Sequence, residues 1–302
     1  MRETIQETEL ESKVCHQIDM GLLQEVIPPS LIEELLETYQ MWEERERKTN
    51  MVSIVYWLMA LHLYPSLSQR RVYGKMVSGL RTIRDDVAEQ IPARSALSYR
   101  RGQLGSEILQ ELFVHCAGPK ALPETPGAFW KGMRLLALDG TVESVADTAD
   151  NRETFRYSSE DEISRSPFPQ ARLLLLIECG THLICDVEIS PCRQAEATGA
   201  RLLLERATLE QSLILWDSGF HASTAIFQVR ACGGHVLGRL RNHVLEQPCD
   251  YLLDGSYLTW IGSGPRPSPW AAHAGTRYHL HLHRSTHSRS WRTGLSTGDH
   301  LA

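Results

Sequence analysis

The apolar residues of this chain change period near residue 118. Before that point they recur at helical spacing. Leu31, Ile32, Leu35 and Leu36 follow Pro28-Pro29-Ser30. Ser30 with Glu33 fits a capping box, in which two side chains satisfy free N–H groups at a helix start. Met51 to Leu63 is apolar nearly all round, interrupted by Ser53 and His62, and predicts a buried helix stopped by Pro65. Leu67 to Leu80 and Ser95 to His115 carry further helical periodicity. Gly118 to Gly127, with Pro119, Pro123 and Pro126, reads as part of a linker.

Beyond the linker the apolar runs shorten to strand length. Met133–Leu138, Arg172–Glu178, His182–Ile189, Ser212–Trp216 and His235–Leu240 read as strands, and Gln194–Ala207 and Ala222–Ala231 as helices. The second and third strands form a hairpin through Cys179-Gly180-Thr181, and residues 143–170 are polar and irregular. Three strands followed by alternating helices and strands predict a mixed α/β sheet with helices packed on it. A ribonuclease-H-like core has this order. In that layout the first strand lies next to the fourth.

Composition adds bounds. A chain of 302 residues with 42% hydrophobic residues has room for one large or two modest domains with a real core. Four segments are expected: a helical domain over 1–117, a linker over 118–130, a mixed sheet over 131–261 and a tail over 262–302. Seven cysteines show no Cys-x-x-Cys pair and read as small core residues in a reducing cytosol. The longest apolar run is too short to span a bilayer, and the polar start Met1-Arg2-Glu3-Thr4 shows no signal peptide. The expectation is a cytoplasmic, nucleoid-associated protein with no membrane partner.

The formal net charge of −6 argues weakly against nucleic acid when taken whole. Locally the balance reverses between Gln69 and Arg101. Arg70, Arg71, Lys75, Arg81, Arg84, Arg100 and Arg101 are candidate phosphate contacts there, with Arg239 and Arg241 further on. The competing reading is a solvated helical surface.

Two aspartates carry the candidate chemistry. Asp139 follows the run Arg134–Leu138, and Asp217 follows Ser212–Trp216; each precedes a small residue. A carboxylate ending a buried strand costs desolvation energy unless paired, and two that meet make a seat for divalent metal. The bland alternatives are a turn residue for Asp139, and a turn residue or the N-cap of the Ala222 helix for Asp217.

At these residues the chain resembles a known family. Asp139-Gly140-Thr141, Phe168-Pro169-Gln170-Ala171-Arg172, Glu178-Cys179-Gly180-Thr181-His182 and Leu215-Trp216-Asp217-Ser218-Gly219-Phe220 follow one another as in transposases of the insertion-element-4 family. Ile27-Pro28-Pro29-Ser30, Arg45-Glu46-Arg47-Lys48 and the Val52–Leu63 helix resemble the family's N-terminal domain. The likeness covers roughly residues 20–261. It implies a DD-E transposase with a ribonuclease-H-like catalytic domain, cutting and joining DNA by phosphoryl transfer. Asp139 and Asp217 match its first and second catalytic aspartates. It further implies two Mg2+ or Mn2+ ions about 3.5–4 Å apart, double-stranded DNA partners (element ends and target), a homodimer for synapsis, and no small-molecule cofactor.

The pattern then breaks. The family's third acid, in Tyr-x2-Arg-x3-Glu-x6-Lys, lies beyond a β-rich insertion that His235 to Ile261 resembles. From Ser263 to Ala302 there is no Ile, Val, Phe, Met, Lys, Glu, Gln, Asn or Cys. That tail reads as disordered or frameshifted, so the expectation is a truncated, catalytically incomplete transposase. None of Glu143, Glu178, Asp250 or Asp254 is expected to replace the missing acid. His279-Leu280-His281-Leu282-His283 is read as at most an adventitious metal site. Phe220 and His221 are expected to pack and cap a helix, and His182 to make a structural hydrogen bond. Two other readings stay open: a DNA-binding or dimerising fragment that inhibits intact transposase, and a metal-dependent nuclease of the same fold.

Overall fold

The computed structural model describes residues 20–41, 49–80, 91–240, 250–254, 256–261, 278–284 and 291–294. The chain divides into two compact units, Met1–Cys116 and Ala117–Ala302.

The first unit is helical: α1 Met20–Val26, α2 Pro29–Thr38, α3 Met51–Leu63, α4 Gln69–Leu80, α5 Arg94–Leu104 and α6 Glu107–Cys116. Helix α3 is its centre, because an all-round apolar helix has no face to give to water. Ile54, Val55, Tyr56 and Trp57 are fully buried in one core with Ile32, Leu36, Val72, Tyr73, Met76 and Leu104. The polar tips of Tyr56 and Trp57 find partners. Tyr56 Oη donates to the Ile27 carbonyl at 2.5 Å, and Trp57 Nε1 to the Gln69 carbonyl at 3.1 Å. The Asn50 side chain caps α3 by accepting from Ser53 N at 2.8 Å.

Two local expectations change. Helix α2 starts two residues earlier than a Ser30 cap requires: Pro28 is the cap residue and no side chain bonds there. Proline at the first helical position has its φ set for a helix and no N–H to satisfy. The Ser95–His115 periodicity is two helices, broken where Gly105 takes φ 69°, a left-handed value that glycine adopts without a Cβ clash.

The second unit is a mixed α/β fold. Its strands are β1 Phe129–Trp130, β2 Met133–Ser144, β3 Gln170–Glu178, β4 Ile184–Pro191, β5 Ser212–Trp216, β6 His235–Leu240, β7 Asp250–Tyr251, β8 Tyr257–Ile261, β9 Tyr278–Arg284 and β10 Trp291–Gly294. They lie in the order β4-β3-β2-β5-β6-β10-β9-β8-β7, with β1 pairing β2. Strands β2, β5 and β6 are mutually parallel, and β3 and β4 fold back antiparallel. The helices are α7 Ala149–Thr154, α8 Glu196–Arg206 and α9 Ser223–Ala231. Ala200, Leu203 and Leu204 of α8 and Ile226 and Val229 of α9 share a core with Leu136, Leu138, Leu174, Leu176, Ile214 and Trp216. Among the described residues, no helix is long and apolar enough to cross a membrane.

Three expectations for this unit are corrected. The linker is tied to the sheet: its last two residues form β1, and Lys120 N and Ala121 N donate to Glu178 at 3.1 and 2.8 Å. His182 lies in the hairpin turn at φ 59°, and its hydrogen bond is a backbone one, N–H to the Glu178 carbonyl at 2.8 Å. The tail, expected to be disordered or frameshifted, contains β9 and β10, which corrects the disorder. His-Leu-His-Leu-His has the two-residue period of a strand, and β9 finds antiparallel partners in β8 and β10.

Candidate active site

Strands β2 and β5 run parallel, with Leu138 opposite Trp216 as their last register pair. Asp139 is the next residue on one strand and Asp217 the next on the other. Neighbouring strands lie about 4.8 Å apart, so both carboxylates leave the same end of one strand pair. β2 itself does not end at Asp139: it continues to Ser144 against β3, with Asp139 opposite Leu175. The apolar run stops there because beyond it β2 no longer has β5 beside it.

Both aspartates are exposed, so neither bears the desolvation cost that a buried strand end leads one to expect. Asp139 Oδ1 accepts from Gly140 N at 2.8 Å, and Asp217 Oδ1 from Gly219 N at 2.7 Å. Asp217 is not a helix cap, since α9 starts at Ser223 with Ala222 at the cap position. Phe220 is buried in the sheet core, as expected of a packing residue, and His221 is half-buried.

A third carboxylate stands near the pair, and sequence motifs missed it. Glu196, the first residue of α8, places Oε1 3.6 Å from where a Cβ on Gly140 would be. Its Oε2 lies 3.3 Å from the corresponding point on Gly219, and Asp217 Oδ1 lies 2.9 Å from that same point. The Arg172 guanidinium on β3 forms an ion pair with Glu196 Oε1 and donates to the Cys192 carbonyl at 2.9 Å. An acid opening a helix after the third strand was the available sequence signal, and by itself it has the ordinary reading of a charge at the helix N-terminus.

Two carboxylate oxygens border the point where a Cβ on Gly219 would stand. Among the described residues no three His, Cys, Asp or Glu side chains converge closely enough to hold a metal ion between them. Carboxylate oxygens are the ligand type that magnesium takes, with waters filling the rest of its shell.

Glu178 is a different kind of acid. It is fully buried on β3, pairs with Arg134, and accepts from Thr181 Oγ1 at 2.6 Å besides the two linker N–H groups. Burial pushes its carboxyl up, but the hydrogen bonds prevail and hold it below the ordinary 4.5. All of these partners belong to the second unit's own framework. Asp254 is bound into its own turn by Ser256 N at 3.0 Å.

The basic residues divide. Arg70, Arg71 and Arg101 are exposed on α4 and α5, and Arg239 is exposed on β6. Lys75 is half-buried, with its ammonium 4.2 Å from the Tyr64 ring centre. Arg100 is a correction: it is 6% exposed, and its guanidinium donates to Gln103 Oε1 at 2.9 Å and to the Thr49 carbonyl at 3.0 Å. A buried, engaged guanidinium braces the fold and has no reach to a phosphate. Arg81, Arg84 and Arg241 lie outside the described residues.

Known proteins resemble the chain in sequence. Residues 17–114 match the family model described as Insertion element 4 transposase N-terminal. The chain is 24% identical over 247 residues to the transposase InsG for insertion sequence element IS4 of Escherichia coli (strain K12), covering 81% of this chain and 54% of InsG. It is 26% identical over 148 residues to InsZ of the same organism, a transposase by name, covering 48% of this chain and 49% of InsZ. Residues 17–114 thus resemble the N-terminal part of insertion-element-4 transposases, and both relatives are transposases by name. It spans about half the length of the curated relatives it matches. The piggyBac transposase in its synaptic complex with hairpin DNA resembles it at a TM-score of 0.44 and 13% identity, covering 96% of this chain and 63% of that one.

Proposed function

We propose that this chain acts on double-stranded DNA as an insertion-element transposase, with its second unit a ribonuclease-H-like catalytic core. The observation that carries this reading is the placement of Asp139 and Asp217 one residue past the Leu138–Trp216 register pair. In this reading Asp139 and Asp217 hold Mg2+ or Mn2+ through carboxylate oxygens. When bound, the metal supplies activation of a water or a 3′-hydroxyl and stabilises the leaving oxygen of a phosphoryl transfer. The chain's own groups keep the aspartates in place: Gly140 N and Gly219 N each donate to one of them. Exposed Arg70, Arg71, Arg101 and Arg239 supply phosphate contacts to element ends and target. Synapsis of two ends calls for a homodimer. Strand cutting by this chain alone is expected to be weak, because the family pattern's glutamate is not found in it.

The test is duplex DNA carrying the element's ends, incubated with the purified chain and Mg2+. The expected result is binding that weakens with salt and weak cutting lost in Asp139→Asn and Asp217→Asn. No DNA affinity at low salt, or cutting undiminished in both variants, overturns the reading. A second reading is favoured by the exposed arginines of α4 and α5: the chain binds element ends without cutting and so inhibits intact transposase. Salt-sensitive binding with no cutting at all supports that reading over the first.

A further inference from the structure

Strand β4 is one edge of the sheet and pairs with β3 on one side only. An edge strand presents a row of N–H and carbonyl groups that a strand of another chain can bond. The register shows which residues of β4 turn theirs outward. Cys192 N donates to the Gln170 carbonyl at 3.1 Å, and Pro191 lies opposite Ala171. Hydrogen-bonded and non-hydrogen-bonded pairs alternate along an antiparallel ladder, so Pro191, Ile189 and Val187 turn their backbone groups to the open edge. Pro191 has no N–H to offer.

Val187, in the middle, is closed by side chains. Its N–H donates to Asp186 Oδ1 at 2.7 Å, and its carbonyl accepts from Arg206 Nη2 at 2.6 Å. Arg206 is the last residue of α8. The same guanidinium pairs with Asp186, Nε to Oδ2 at 2.8 Å, and with Glu188, Nη1 to Oε2 at 2.5 Å. One ion pair thus lies across both backbone groups of Val187. A second copy's β4, entering antiparallel about Val187, would need those two groups. It would also set its own Glu188 opposite Asp186, and like charges directly opposite each other destabilise a strand pair.

We infer that the Asp186–Arg206 pair is a guard on the β4 edge, closing a strand-pairing surface that a second copy's β4 would otherwise fill. Ile184 and Ile189, 40% and 55% exposed, give that edge the apolar character that makes an unguarded strand adhesive. The dimer that synapsis calls for then forms through another surface. The inference uses neither aspartate of the candidate active site.

The test follows the full chain by sedimentation velocity over a concentration series. Asp186→Ala combined with Arg206→Ala opens both backbone groups of Val187 and removes one acid from each facing pair. This double variant is expected to gain an association step, a doubling of sedimenting mass, that the unaltered chain lacks at the same concentration. Adding Ile189→Lys, a charge on the open edge, is expected to remove that step. A folded double variant that keeps the unaltered chain's mass at every concentration overturns the inference. So does association that Ile189→Lys leaves in place, because general unfolding then accounts for it. Should the double variant fail to fold, amide hydrogen exchange of the unaltered chain decides the matter. The Val187 amide, held by Asp186, is expected to exchange more slowly than that of Ile189, the next outward residue. Equal or faster exchange at Val187 overturns the guard.

Discussion

Leu138 faces Trp216 across β2 and β5, and the residue after each is an aspartate. Two acids about 78 positions apart in sequence thus become neighbours through register alone. Both are exposed, which separates their chemistry from the stability of the fold.

That separation is testable. Asp139→Asn and Asp217→Asn should each change stability by no more than about 0.5 kcal/mol, as exposed substitutions do. Each should abolish Mn2+ binding and metal-dependent cutting. Thermal unfolding and Mn2+ titration of the same preparations check both halves. A large fall in melting temperature would show that the aspartates brace the sheet.

Gly219 and Gly238 should behave in opposite ways. A Cβ on Gly219 enters the space between Asp217 and Glu196, so Gly219→Ala should weaken Mn2+ binding with little loss of stability. A Cβ on Gly238 would lie 2.2 Å from Cδ1 and 2.3 Å from Nε1 of the buried Trp216 ring. Overpacking of this kind costs about 1–3 kcal/mol. Urea midpoints should therefore fall for Gly238→Ala and stay put for Gly219→Ala.

Glu178 should make the second unit acid-sensitive. Its folded-state carboxyl lies below the ordinary 4.5, so its stabilisation is present above that value and is lost as pH falls through the lower folded value. Glu178→Ala removes the carboxylate that pairs with Arg134, which keeps its bond to the Ala121 carbonyl, and the acceptor of the Lys120 and Ala121 N–H groups. The expected loss is about 3 kcal/mol at neutral pH, and it shrinks in acid by the part that the lowered carboxyl contributes. Denaturant unfolding across the acid range would show the two curves converging. Parallel curves would mean that Glu178 does not titrate as described.

The arginines of the first unit should separate by burial. Replacing Arg70, Arg71 and Arg101 together with Ala should lower the salt dependence of DNA binding, by about 0.9 in logarithmic slope for each phosphate no longer neutralised. Arg100→Ala should instead destabilise the unit by about 1–3 kcal/mol, because the Thr49 carbonyl and Gln103 lose a charged donor. Binding isotherms at several salt concentrations, read beside melting curves, distinguish the two effects.

Local pattern made much of the fold legible. Ser212–Trp216 and His235–Leu240 are strands at the bounds expected of them, and Met51–Leu63 is the expected buried helix. Short apolar runs between turn residues, and an unbroken apolar helix ahead of a proline, carry their own instructions. Bounds differed where a partner decided them. β2 runs six residues past Leu138 because β3 supplies its hydrogen bonds as far as Ser144. Arg100 looked like its exposed neighbour Arg101, yet it turns inward because the Thr49 carbonyl, distant in sequence, offers an acceptor.

The amino-acid sequence by itself determined the succession of helices and strands and the two aspartates that follow apolar runs, since period, turn chemistry and short motifs are local properties. The expected strand order already set the first strand beside the fourth and so made Asp139 and Asp217 neighbours; only the tertiary structure decided their register, that they are exposed, and that Glu196 stands near them. Adjacency depends on parallel register, and the position of Glu196 on how closely α8 docks at Gly199 against Leu174. Both are set by contacts between segments far apart in the chain, which no local run of residues encodes.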